Sequence, residues 1–356
     1  MNNMWEYPVS IILYFVVAVF VVWLSIKLST FVDLLDKKTN LSGALLGGIL
    51  LAATTSLPEF FTSFTATVLV KNNSLVMGNI LGSNLFNMVL FSIIYLFFFK
   101  KLVDKKVDKS HLFTMVIIGL LYTTVICASF IFDFNHILWG WFNPLSILIV
   151  VLYAINIWKT PKEGETHEDE VDEKESKLTV KQIVALFIVL ALALIGASIG
   201  ITFITDWVVE IYGIGSTFGG ALFLGVATSL PELTATINLS KRGNINAAYG
   251  NIVGSISFNF CILSVADLFS WQAALENNSY VYKADQSAFL LMVFGVAGFI
   301  LLLASILIKL FVPLKGSMKE RIYYYITGGL IAANYIAYLI LSNIDLGISF
   351  APYVGL

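Results

Sequence analysis

Residues 226–235 read "VATSLPELTA" and residues 53–62 read "ATTSLPEFFT". Each places a glutamate directly after a proline inside an apolar run, Glu232 in the first and Glu59 in the second. A carboxylate is among the costliest groups to hold in hydrocarbon, so its recurrence in the same setting organises the reading of the chain. The match extends well beyond these residues. Residues 23–59 align without a gap against 196–232, setting Asp33 against Asp206 and Glu59 against Glu232. One residue shorter in the second copy, "GNILGSNLFN" at 78–87 answers "GNIVGSISFN" at 250–259. This is an internal repeat.

The setting is a bilayer. Of the 356 residues 58% are hydrophobic and 12% charged, against about 25% charged in an ordinary soluble domain. Apolar runs long enough to span fall near 8–30, 41–70, 74–99, 111–131, 137–157, 180–211, 217–240, 244–269, 286–311 and 323–342. Nothing alternates in the manner of a membrane β-barrel. The expected fold class is an all-α integral membrane protein of ten transmembrane helices in two five-helix repeats, 1–158 and 180–356. An odd number of helices per copy inverts the second against the first, and inverted repeats with interrupted helices are the architecture of secondary transporters.

Between the copies lies an acidic segment, 159–179, that includes "KTPKEGETHEDEVDEKESK" at 159–177. It lacks the glycine and ligand spacing of an EF-hand loop and reads as a solvated tether. Lys and Arg accumulate in cytoplasmic loops. Nineteen of the 21 fall at the connections after runs 1, 3, 5, 7 and 9, leaving Lys71 and Lys283 on the other side. The expected location is the cell membrane, with both termini outside and the linker cytoplasmic. The start, "MNNMWEYP", lacks the features of a cleaved signal peptide, so the first helix is expected to stay. Cys127 and Cys261 fall inside predicted helices, which disfavours a structural disulfide, and His111, His136 and His167 read as surface residues.

Spacing within the repeats points to cation chemistry. Thr55 and Glu59 stand four apart, as do Ser83 and Asn87, Thr228 and Glu232, and Ser255 and Asn259, so each pair shares a helix face. Pro58 and Pro231 have no N–H for the carbonyls of Thr54 and Ala227, and a freed carbonyl in a membrane is tolerated where it lines a site. Neighbouring small residues such as Gly78, Gly82, Gly220 and Gly225 permit close helix approach. The donors are hard oxygen throughout, which suits Na+ or Ca2+ and disfavours Zn2+ or Cu+.

The two "TSLPE" motifs, each followed by "GNxxGSxxxN", resemble the two α-repeats of the cation/Ca2+ exchanger superfamily, most closely its Na+/Ca2+ exchanger branch. The resemblance covers the whole membrane portion. It implies ions bound where helices 2, 3, 7 and 8 meet, and alternating access by sliding of the long helices 1 and 6. Carried over position by position, the metal ligands would be Thr55, Ser56, Glu59, Ser83 and Asn87, then Thr228, Ser229, Glu232, Ser255 and Asn259, with backbone oxygens of Ala52 and Gly225. One departure is Asn259, where many prokaryotic members and the K+-dependent branch carry Asp, so that this site holds two acids. The proton-coupled exchangers usually show "GNxxE" character near the glutamate, which "TSLPE" does not match.

The function expected is Ca2+ exchange for Na+, with an H+/Ca2+ or a K+-dependent Na+/Ca2+ exchanger as alternatives and a passive Ca2+ channel as the alternative of another class. Channels usually build selectivity from rings of like subunits, and an inverted repeat predicts two exchanging faces instead. The reading implies no enzyme, no cofactor and no nucleic-acid partner. The partners are Ca2+, Na+ and the lipid bilayer.

Overall fold

In the computed structural model of the chain, Pro58 and Pro231 stand in the first turn of a helix rather than in the middle of one. Proline is tolerated there because the first N–H groups of a helix have no internal partner. The helix Leu57–Thr65, here α2, starts one residue before Pro58, and Leu230–Arg242 starts one residue before Pro231. The serines that precede them have almost the same backbone conformation, φ −92° and ψ 9° at Ser56 and φ −90° and ψ 2° at Ser229. The repeat seen in the sequence is thus repeated in the backbone at its two breaks.

The structure describes residues 5–39, 54–103, 110–131, 142–159, 178–243, 245–277, 279–283, 285–311, 318–344 and 346. Among these, α1 is Glu6–Thr39, α2 continues through the π turn Ala66–Val70, α3 is Asn73–Phe97, and α4 is Ser110–Ile126. They are followed by α5 (Leu145–Lys159), α6 (Val180–Tyr212) and α7, whose arms are Ser216–Thr228 and Leu230–Arg242. The series closes with α8 (Ile245–Leu268), α9 (Gln286–Phe311) and α10 (Met318–Leu341). No strand occurs among the described residues. Seven of the described helices are long and apolar enough to cross a membrane, or eight if the arms of α7, bent by 42°, form one span. The stretch 57–70 and α5 are shorter apolar helices. Ala52, His136, His167, the start of the second expected span and nearly all of the linker lie outside the described residues.

Helix α6 opens on a capping box, in which the Thr179 hydroxyl accepts from the Gln182 N–H and the Gln182 side chain accepts from the Thr179 N–H. It closes at Gly213, whose φ of 64° ends the helix in the left-handed region. Burial sorts the spans into centre and rim: 72% of the most apolar window is buried in α3 and in α8, against 33% in α1 and 22% in α6. The two central helices carry the "GNxxGSxxxN" motifs, while the long α1 and α6 pack along one another.

The first arm of α7 meets α3 backbone to backbone. A Cβ on Gly78 would fall 2.0 Å from the Thr217 carbonyl oxygen, and one on Gly220 would fall 2.4 Å from that of Leu75. Only glycine admits that approach. The arm is also widened by a π turn, Gly220–Gly225, and the hydroxyl of Tyr14 on α1 donates to the Phe223 carbonyl at 2.8 Å.

Two expectations need correction. The fifth span was expected from 137, but residues 142–144 are not helical and α5 starts at Leu145. Asn143 accounts for this, since its side chain accepts from the Leu145 N–H at 3.0 Å while its own N–H donates to Asp267 at 2.8 Å. His111 is not a surface residue. It is buried at the start of α4, its ring 6.0 Å from that of Tyr249, because α4 packs on α8 there.

Candidate cation site at the two helix breaks

At each break a serine faces the glutamate of the opposite repeat. The Ser56 hydroxyl donates to Glu232 Oε1 at 3.1 Å, and the Ser229 hydroxyl donates to Glu59 Oε1 at 3.1 Å. All four residues are fully buried. The crossed pair gives each carboxylate one occupied oxygen. Glu59 Oε2 and Glu232 Oε2 have no hydrogen-bond partner among the described residues. Buried like charges repel one another, and a proton or a bound cation relieves that repulsion.

The flanking helices complete an all-oxygen environment. From α8, Ser255 reaches Glu232 Oε1 at 3.5 Å. From α3, the Ser83 hydroxyl donates to the Gly225 carbonyl at 3.1 Å, so the structure joins these two expected ligands to each other. Thr228 donates to the Leu224 carbonyl at 2.8 Å, one turn back on its own helix. Thr55 is buried beside the first break. Asn87 is buried with neither side-chain atom partnered among the described residues, and Asn259 donates to Asn84 at 2.9 Å, leaving its Oδ1 unpartnered. Hydrogen bonds thus link Ser56, Ser255 and Glu232, Ser229 and Glu59, and Ser83 and Gly225, while Ala52 lies outside the described residues. No group of three or more His, Cys, Asp or Glu side chains suited to a metal occurs among the described residues.

Among the described residues, eight of the unpartnered buried oxygens fall in pairs related by the repeat, while others, such as those of Asn73, Tyr122 and Thr205, do not. Besides the two glutamates and Asn87 with Asn259, the pairs are Ser25 with Ser198 and Thr67 with Ser240, each at aligned positions. Buried polar atoms are normally hydrogen-bonded, so the repeat-related pairs stand out at the two breaks and on the helices beside them.

The family described as sodium/calcium exchanger protein matches residues 9–159 and 183–343. The chain belongs to that family. It is 25% identical over 274 residues to the sodium/calcium exchanger MaX1 of Methanosarcina acetivorans, covering 65% of this chain and 75% of that one. Among solved structures, it resembles an H+/Ca2+ exchanger, CAX, with a TM-score of 0.64 at 16% identity over 94% of this chain and 90% of the other. It also resembles the sodium-calcium exchanger NCX_Mj, with a TM-score of 0.55 at 19% identity over 92% and 97%. These structural likenesses are of fold.

Within this exchanger-family chain, sequence reasoning missed a pair of asparagines that brace the glutamate helices. Asn79 Nδ2 donates to Thr62 Oγ1 and Ser63 Oγ, both at 2.9 Å, one turn beyond Glu59. Asn251 Nδ2 donates to Thr236 Oγ1 at 3.2 Å, one turn beyond Glu232. The signal was available, since Asn79 and Asn251 are the second residues of the two "GNxxGSxxxN" motifs. Asn84 was missed for a different reason. Its aligned residue is Ile256, so a search for matching positions passes over it.

Proposed function

We propose that this chain is a secondary active antiporter that exchanges Ca2+ for Na+ by alternating access, with Glu59 and Glu232 at the centre of the ion site. The observation that carries this reading is the crossed pairing of Ser56 with Glu232 and Ser229 with Glu59, which leaves one oxygen on each buried carboxylate without a partner among the described residues. A structural pair of acids would be expected to use those oxygens in hydrogen bonds. The ligand set is Thr55, Ser56, Glu59, Ser83, Asn87, Thr228, Ser229, Glu232, Ser255 and Asn259 with carbonyl oxygens of Ala52 and Gly225, and hard oxygen donors of this kind suit Ca2+ and Na+.

The finer architecture belongs to the same reading. The chain forms ten spans in two inverted repeats, 1–158 and 180–356, joined by a cytoplasmic linker at 159–179. Both termini lie outside, a reading supported by the distribution of the 21 basic residues. The nearly matched backbone at Ser56 and Ser229 supports the repeat. The name of the relative MaX1 supports Na+ as the driving ion.

The test is Ca2+ uptake by purified protein in liposomes under an outward Na+ gradient, an outward H+ gradient, or neither. Uptake under Na+ alone is expected. Uptake under H+ alone would transfer the chain to proton-coupled exchange, and equal uptake in all three would make it a passive channel.

A further inference from the structure

Asn84 lies on α3 between the expected ligands Ser83 and Asn87, and its counterpart in the second repeat is Ile256. Its buried Oδ1 accepts a hydrogen bond of 2.9 Å from Asn259 Nδ2, across the boundary between the repeats. The bond occupies the nitrogen end of the Asn259 amide and leaves Oδ1 without a partner among the described residues. Asn87, the counterpart of Asn259, has no such restraint on either side-chain atom among those residues.

The chemistry of an amide gives this bond a purpose. A carboxylate offers oxygen whichever way it turns, whereas an amide offers oxygen one way round and an NH2 group the other. A cation accepts only the oxygen. A neutral amide at a cation site gains from an acceptor that holds its NH2 group, because the bond favours the orientation that offers the oxygen. We propose that Asn84 is a positioning residue for cation binding: its side-chain oxygen holds the Asn259 amide so that Oδ1 is the atom offered to the transported ion. The proposal rests on the reading of the Glu59 and Glu232 centre as the Ca2+ site.

The experiment is a double-mutant cycle on the full-length protein, reading equilibrium Ca2+ binding in detergent together with the KM and kcat of Ca2+ uptake in liposomes. Asn84→Leu keeps the volume and removes the acceptor. It is expected to weaken Ca2+ binding and raise KM about five- to tenfold, with kcat changed by less than about twofold. In an Asn259→Ala background, the same substitution is expected to change binding by less than about twofold, because it acts only through Asn259. Asn84→Asp still accepts the bond and is expected to bind Ca2+ at least as tightly as the wild type. Asn84→Ala gives the same comparison if the leucine variant does not fold. Effects that multiply in the double variant overturn the proposal, as does an Asn84→Asp protein as weak as Asn84→Leu. The underlying site reading fails separately: Glu232→Gln would then bind Ca2+ like the wild type, whatever the Asn84 variants do.

Discussion

Glu59 and Glu232 are buried in the same way, each bonded to the serine that opens the other's helix. Replacing either with Gln keeps shape and hydrogen bonding but removes the charge that attracts a divalent ion through a low-dielectric medium. Both variants are expected to fold and to lose Ca2+ uptake in liposomes entirely, and near-normal flux in either would exclude the site. Ser56→Ala and Ser229→Ala remove one hydrogen bond each to a charged group, about 1.5–3 kcal/mol. They are expected to weaken Ca2+ binding by similar factors, about tenfold or more, in a calcium titration of the purified proteins. The glutamates and their serines were legible from the sequence because they share a repeated motif. The crossing of their bonds was not, since nothing in "TSLPE" tells whether a serine faces its own glutamate or the distant one. Asn84 was illegible because Ile256 breaks the repeat at that position.

At the scale of the helices, the first arm of α7 is fixed by close packing. The first arm touches α3 through glycine, so Gly78→Ala or Gly220→Ala drives a Cβ into a carbonyl oxygen at 2.0 or 2.4 Å. Overpacking of this kind costs about 1–3 kcal/mol or more. Both variants are expected to lower the unfolding temperature in detergent, while Gly200→Ala, which meets nothing described within 4 Å, is expected to leave it nearly unchanged. Equal effects at all three positions would count against the close contact. Composition signalled the approach through its small residues, but which glycines carry it is decided by three-dimensional register. The π turns of α2 and α7 left no trace in sequence periodicity. The start of α5 was misplaced because Asn143 and Pro144 follow an apolar run that reads as helix until the bond from Asn143 to Asp267 is seen.

At the scale of the whole molecule, the sequence repeat itself was legible, because an ungapped alignment of 23–59 with 196–232 needs no structure to be seen. Sidedness rests on basic residues and is checked by cysteine labelling: positions near Asn72 and Asn278 should react from outside, and those near Lys105 and Glu170 only from inside. The two-acid site also sets the charge that moves. On the proposed reading, one Ca2+ would leave the site neutral and three Na+ would leave it with one positive charge, worth about 2.3 kcal/mol per 100 mV across the field. Exchange is therefore expected to be electrogenic and independent of K+; a rate unaffected by clamped potential, or uptake that requires K+, would refute this. The crossed bonds at the breaks bear also on symmetry. A lone five-helix unit holds a serine and a glutamate that do not meet each other, yet two copies inserted in opposite senses would pair both. On the proposed topology, the chain has the symmetry of an antiparallel homodimer whose twofold axis lies in the plane of the bilayer, with the linker holding together two halves that separate chains would have to bring together by encounter.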